Sequence, residues 1–377
     1  MTGVNARNRK SFSGVSSNSD GFGRVWQMLR QDKAIGGSTS KLRAEAAEAP
    51  TLLVGQGKAL ERPIGELVAR LQRKPPRLVV TCARGSSAHA ATFGKHLFER
   101  HLGIPVSAAA PVIASIYGRR LALKDQLFVS ISQSGRSADI IAMAAMARAS
   151  GATTVAIVND AGSPLARACE LVLPIEAGPE LSIAATKSFI ATLTVLLRLT
   201  AAWTDNTEMR AAIERLPERL TSATEVDWSA ALPSLSDARS AMTIGRGPTL
   251  AIAREAALKL KEVCNLHAEA FSGAEFQHGP IALVESTYPV LMFTPGDQAA
   301  EGFEKLRRDL ARKGALVFAT ATSGARPAFL PTLSPDHPDA DAVCLIHTFY
   351  QLLLHVAERR GCDVDQPRHL KKVTVTR

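Results

Sequence analysis

From residue 77 onward, short apolar runs alternate with longer segments of helical periodicity, and a polar or glycine-bearing loop separates each pair. Residues 78–82 read as a buried strand, 84–87 as a Gly/Ser loop and 88–99 as a helix. Residues 127–131 form the next strand, followed by a serine-rich loop and a helix over 138–149. Further strands are predicted at 153–158 and 169–174. Continuous apolar strands linked through helices imply a parallel sheet covered on both faces, with ligands at the carboxyl ends of its strands.

The pattern then recurs. Arg84-Gly85 after the first strand is echoed by Arg246-Gly247 after an apolar run at 241–244, an offset of 162 residues, and each pair opens a long helix. Residues 129–135 are echoed by 290–296 at an offset of 161. A near-constant offset of this size predicts a duplicated domain. The predicted organisation is a flexible leader over 1–39, helices within 40–74, a first domain over 75–203, a linker over 204–238 containing Pro217 and Pro233, a second domain over 239–362 and a tail over 363–377. The helical pattern that starts at residue 41 is predicted to stop at Pro50, and a second helix to run over 64–72. The second domain's long helix is read as AIAREAALKLKEVCNLHAEAF.

Composition changes this picture little. Hydrophobic residues make up 46% of the 377, enough for two ordinary cores, and aromatics only 5%, which favours α/β packing. The net charge is +10, of which the first 50 residues contribute +4, with eight Lys or Arg against four Asp or Glu. The rest is dispersed, without a basic stripe or interleaved aromatics, so the charge favours anionic small molecules over nucleic acid. Cys82, Cys169, Cys264, Cys344 and Cys362 are odd in number and form no C-x-x-C pair, which fits a reducing cytoplasm. The most apolar helix, 184–203, is interrupted by Lys187 and Arg198 and is read as buried, not as membrane-spanning.

The candidate chemistry centres on the stretch FVSISQSGRS. Ser132, Gln133, Ser134, Gly135 and Ser137 sit at the carboxyl end of a strand and ahead of a helix. Hydroxyls and N–H groups donate, glycine admits the ligand to the backbone, and the helix N-terminus adds positive potential, so a phosphate monoester fits. A serine-rich N-cap would use the same residue types. The equivalent loop of the second copy has Phe293, Thr294 and Pro295, where Phe has no donor and Pro no N–H, so it should not hold phosphate.

On the second long helix, Glu255, Lys259 and Glu262 lie on one face at i, i+4 and i+7. They are either a solvated ion-pair stripe or, given the surrounding Ala256, Ala257, Leu258, Leu260 and Val263, a buried functional group. His278 precedes a Gly-Pro break and, on the residues alone, reads as a structural loop histidine more readily than as an acid/base. The tail carries Asp363, Asp365, Gln366-Pro367 and Arg368, then Lys371-Lys372 and an alternating Val-Thr run that could dock as a strand.

SISQSG, AGPE followed by ATK-x-F, ALKLKE, HAEA, HGP and the terminal DVDQPR occur in one order over residues 75–377. Together they resemble the double sugar isomerase (SIS) domain family, specifically the isomerase half of glutamine:fructose-6-phosphate amidotransferase and the shorter deaminases related to it. The resemblance implies an α/β fold of two tandem SIS domains, each a five-stranded parallel sheet flanked by helices, assembled as a homodimer. It implies a phosphate cradle of Ser132, Gln133, Ser134 and Ser137, and a sugar-binding hydroxyl at Ser87. Glu262 becomes the base that moves a proton between C1 and C2, Lys259 its neighbour, and Lys372 the lysine that meets the ketose carbonyl. His278 becomes the ring-opening acid/base, supplied across the dimer interface. Ala184 and Ala185 stand in the sugar-contacting segment where the family often has serine. No metal or organic cofactor, nucleic acid or membrane is implied.

Arg136, in Ser-Gly-Arg-Ser, is similar to the stand-alone deaminases, and only about 75 residues precede the first sheet, too few for a glutaminase domain. The expected reaction is therefore conversion of glucosamine 6-phosphate and water to fructose 6-phosphate and ammonia. A galactosamine-6-phosphate deaminase/isomerase, a fructosamine-6-phosphate deglycase and a non-enzymatic sugar-phosphate sensor are the alternatives.

Overall fold

The computed structural model describes residues 40–321 and 329–372; the predicted leader and the Val-Thr end lie outside the described residues. Helix α1 (Lys41–Ala47) is followed at once by α2 (Ala49–Arg73), a single helix of 25 residues. The pattern predicts a stop at Pro50, but Pro50 falls in the first turn of α2, where its missing N–H has no helical partner to lose. Pro63 is accommodated within the same helix. Leu53, Leu60, Ile64, Leu67 and Leu71 form its buried stripe.

The first sheet comprises β1 (Val79–Cys82), β2 (Val106–Ala108), β3 (Leu127–Ser132), β4 (Thr153–Val158) and β5 (Leu171–Pro174). Between them run α3 (Ser86–Leu102), α4 (Val112–Ser115), α5 (Ala138–Ala149) and α6 (Pro164–Ala168). All strands pair in parallel, in the order β2-β1-β3-β4-β5. Three-residue β2 and four-residue α4 are too short for the periodicity to reveal. Helices α7 (Lys187–Trp203), α8 (Thr207–Ala223) and α9 (Leu232–Asp237) follow. The segment 204–238 thus carries core helix in place of a linker: α8 buries Met209, Ala212, Ile213, Leu216 and Leu220, with Pro217 inside it and Pro233 in the first turn of α9.

The second sheet is built from β6 (Ser240–Gly245), β7 (His267–Ser272), β8 (Pro289–Met292), β9 (Leu316–Ala321) and β10 (Phe329–Pro331), with helices α10 (Pro248–Cys264), α11 (Phe303–Arg312) and α12 (Pro338–Arg359). Its order is β10-β9-β8-β6-β7, which read from the opposite edge repeats the order of the first sheet. The duplication extends to the backbone: Gly85 (φ 54°, ψ −135°) and Gly247 (φ 55°, ψ −134°) cap α3 and α10 in the same conformation, which favours glycine. HAEAF is not helical. Asn265 adopts a left-handed conformation (φ 49°, ψ 35°) that ends α10, and His267–Ser272 pairs with β6 as an edge strand.

Alternate strand residues face two cores. Leu127, Val129 and Ile131 of β3 point into a central core shared with α2, α3, α7, α8, α10 and α12, whereas Phe128 packs on the other side with Met143, Ala144 and Leu165. The second sheet divides likewise, with Leu291 facing the central core and Met242, Val290 and Met292 facing α11. Among the described residues α12 alone is long and apolar enough to cross a membrane, but 83% of its apolar window is buried within the protein. Helix α7, the most apolar by sequence, is buried as expected.

Candidate active site

The order of the first sheet reverses between β1 and β3, and a cavity of about 340 Å³ opens where their carboxyl ends diverge. Arg84, Ser86 and Ser87 line it from the end of β1, and Ser132, Gln133, Ser134 and Ser137 from the loop after β3. The Ser132 hydroxyl accepts the Gly135 N–H at 3.1 Å and so braces the loop from within. Gly135 has φ 62°, and a Cβ there would lie 2.2 Å from Ser163 Oγ; no other residue fits. Ser137 occupies the N-cap of α5, but its side chain makes no capping bond. The capping explanation therefore fails for this serine, and its hydroxyl is free beside the helix N-terminus.

Asp139, in the first turn of α5, would repel an anion at that end. Arg84 answers it, with Nε 2.7 Å and Nη2 2.5 Å from Asp139 Oδ2. The positive potential of the helix end is thereby restored.

The charged face of α10 enters the cavity from the second domain. Glu255 and Lys259 are 0% and 1% exposed and Glu262 is 23% exposed, so the stripe is not solvated. Lys259 Nζ lies 2.6 Å from Glu262 Oε2, 3.3 Å from Glu255 Oε1 and 3.2 Å from Ser86 Oγ. Burial works against the ammonium, but Glu255 and Glu262 outweigh it and hold the Lys259 pKa above its ordinary value. Burial likewise opposes ionisation of Glu255, yet Lys259 and His89 hold its carboxyl below the usual range. The Lys259 ammonium thus sits between the carboxyl groups of Glu255 and Glu262.

The tail supplies a second ammonium. Lys372 Nζ donates to the Ser182 carbonyl at 2.7 Å and lies 3.3 Å from Glu180 Oε2. Glu180 is fully buried and is fixed by Thr186 N–H at 3.0 Å, Ser188 N–H at 3.2 Å and Ser188 Oγ at 2.6 Å. Asp365 secures the tail upstream by accepting Lys41 N–H at 2.9 Å and Leu42 N–H at 3.1 Å, which caps α1.

The cavity thus gathers Ser87, Ser132, Gln133, Ser134, Ser137, Ala185, Lys259, Glu262 and Lys372. It does not gather all the predicted residues. Ala184 is buried at 2% exposure behind the wall, and His278 sits exposed on the turn after Glu275–Gln277, outside the cavity lining. Arg84, Ser86, Glu180 and Ile183 line the cavity and were not singled out by sequence reasoning. Arg84 and Glu180 stood within recognisable segments, the Arg-Gly pair and AGPE, but their partners lie 55 and 192 residues away.

A model of the SIS domain matches residues 73–202 and 234–327, and the chain belongs to the SIS domain family. It is 36% identical over 313 residues to glutamine–fructose-6-phosphate aminotransferase (isomerizing) of Bradyrhizobium diazoefficiens, covering 78% of this chain and 51% of that protein. The chain spans about half the length of the curated relatives it matches. A solved structure from Silicibacter pomeroyi DSS-3, provisionally described as a phosphosugar isomerase, superposes with a TM-score of 0.82 at 40% identity, covering 87% of this chain and all of that one. The C-terminal domain of glucosamine-fructose-6-phosphate aminotransferase from Francisella tularensis (TM-score 0.79, 24% identity, 88% and 99% coverage) and a glucosamine-6-phosphate deaminase from Thermotoga maritima (0.68, 23%, 89% and 100%) share the fold.

Proposed function

We propose that this chain is a phosphosugar isomerase that converts glucosamine 6-phosphate and water to fructose 6-phosphate and ammonia. The observation that carries the reading is the meeting, in one cavity, of a phosphate cradle from the first domain with Lys259, Glu262 and Lys372. The cradle holds the 6-phosphate through the hydroxyls of Ser132, Ser134 and Ser137 and the end of α5. With the sugar open, Glu262 takes the C2 proton and returns it to C1, a transfer that a carboxylate can perform next to a carbonyl. The Lys259 ammonium stabilises the charge that grows on oxygen as the proton leaves. The resulting C2 imine adds water and expels ammonia, and Lys372 faces the C2 carbonyl that forms.

Because His278 is exposed and outside the cavity of its own chain, we assign ring opening to His278 of a second copy in a homodimer. The similarity to the aminotransferases and to the deaminase fold supports the substrate class.

The test measures amine or ammonia and the hexose phosphate, ketose or aldose, released from glucosamine 6-phosphate, galactosamine 6-phosphate and fructosamine 6-phosphate. Glucosamine 6-phosphate is expected to give the highest kcat/KM, and Glu262→Gln to lower kcat by about 10³-fold. Turnover of another amino sugar alone, or an unimpaired Glu262→Gln, would overturn the reading. Mixing inactive Glu262→Gln and His278→Asn chains should restore activity if the histidine is shared.

A further inference from the structure

We propose that His89 is a positioning residue for this reaction, acting through the buried carboxylate of Glu255 on the ammonium of Lys259; the proposal rests on the function assigned above. His89 lies one turn into α3, three residues beyond Ser86, and its Nδ1 is 2.8 Å from Glu255 Oε2. Glu255 is held ionised, and an ionised carboxylate only accepts. His89 Nδ1 therefore carries the proton and donates it.

The other carboxylate oxygen, Oε1, faces Lys259 Nζ at 3.3 Å in an ion pair. The hydrogen bonds of Lys259 go elsewhere, to Glu262 Oε2 at 2.6 Å and Ser86 Oγ at 3.2 Å. His89, Glu255, Lys259 and Glu262 are thus ranked in line, from a helix of the first domain to the cavity. Neither His89 nor Glu255 lines that cavity, so neither meets the substrate.

The physical role follows from what would happen without the imidazole. Glu255 is fully buried, and His89 donates to it from across the two domains, with Ser86 beside it as a second polar partner. Deprived of it, the carboxylate is left short of a donor and gains most by turning onto Lys259. The ammonium is then drawn back from Glu262. Among the described residues, no hydrogen bond or ion pair joins His89 to Ser132, Gln133, Ser134 or Ser137, so substrate is still held while proton transfer suffers.

The test compares His89→Leu, which keeps apolar volume, and His89→Ala with His89→Asn, whose amide places an N–H close to that of Nδ1. The expected result is a kcat lowered by about 10- to 100-fold in the Leu and Ala variants, with KM within about threefold, and recovery to within about threefold of the parent in His89→Asn. Independently of turnover, NMR of protein carrying ¹³C,¹⁵N-labelled lysine, with Lys259 assigned through Lys259→Arg, should show its side-chain resonance displaced in His89→Leu and restored in His89→Asn. A parental kcat in His89→Leu and His89→Ala, an Asn variant as slow as the Leu variant, or an unmoved Lys259 resonance would overturn the proposal. If the parent turns over no sugar phosphate, the assigned function fails and the resonance alone decides the role of His89.

Discussion

The loops after β3 and β8 hold equivalent places in two sheets of the same strand order, and they have been put to opposite uses. In the first, Ser134 and Ser137 present hydroxyls to a cavity, and Asp139 behind them is neutralised by Arg84. In the second, Phe293 turns into the core at 1% exposure against Trp228 and Phe349, and Thr294 N–H is taken by Thr320 Oγ1 at 2.8 Å. A cavity of about 450 Å³ persists there, but Asp297 and an Arg219–Asp341 ion pair line it. Asp297 stands where the first loop has Arg136 and is bound to Arg100 of α3, which also grips Asp339 at the start of α12. The second loop has become a clamp between domains. A duplicated scaffold keeps its geometry easily; its chemistry depends on a few side chains and diverges.

This contrast can be broken most severely by grafting the cradle onto the second loop. Phe293→Ser with Thr294→Gln and Pro295→Ser should destabilise the protein by about 3–5 kcal/mol, because a buried aromatic is lost, and should create no phosphate site in that loop, since Asp297 and Asp341 remain. Chemical denaturation and phosphate titration would read both effects. Next, Arg100→Ala should cost about 2 kcal/mol at pH 7 by leaving the fully buried Asp339 with only histidine partners. Burial opposes ionisation of Asp339, but His101 and Arg100 hold its pKa below 3.8, so this stabilisation is present above about pH 4 and fades as pH falls through the folded-state value. The variant and the parent should converge in acid.

Ser134→Ala should raise KM by about tenfold and leave kcat nearly unchanged, since one hydrogen bond to a charged group is lost in ground and transition states alike. An equal loss in kcat would show that the cradle acts on the chemistry as well. Smallest is Asp365→Ala, which leaves the Lys41 and Leu42 N–H groups without their acceptor while Ser40 still caps α1 at Arg43 N–H, and should cost about 1 kcal/mol in thermal or denaturant unfolding.

Much of the site was readable because it is local. The cradle needs only consecutive residues, and the stripe of α10 needs only helical spacing. The readings that changed were those that depend on distant partners or on a single dihedral. HAEAF has helical composition, and only the left-handed Asn265 makes it a strand. Pro50, Pro217 and Pro233 look like breaks, whereas two lie in first turns and one is tolerated inside α8. Glu180 carries no periodic signal, because its role is to fix Lys372, 192 residues later. Nothing along the chain could show that Ser137 has no capping bond or that His278 lies outside the cavity lining of its own chain.

Among the described residues, the tail that brings Lys372 to the cavity belongs to no sheet or helix, and Arg368 and Lys371 are exposed within it. A trypsin-like protease cutting after Arg368 would sever no secondary structure and would leave Asp365 on the body of the protein, still bonded to Lys41 and Leu42. The clipped molecule should migrate almost as the intact one and still take up sugar phosphate under the proposed function, while lacking the Lys372 ammonium of the cavity. A preparation could thus lose turnover through an unnoticed nick while passing every test of folding.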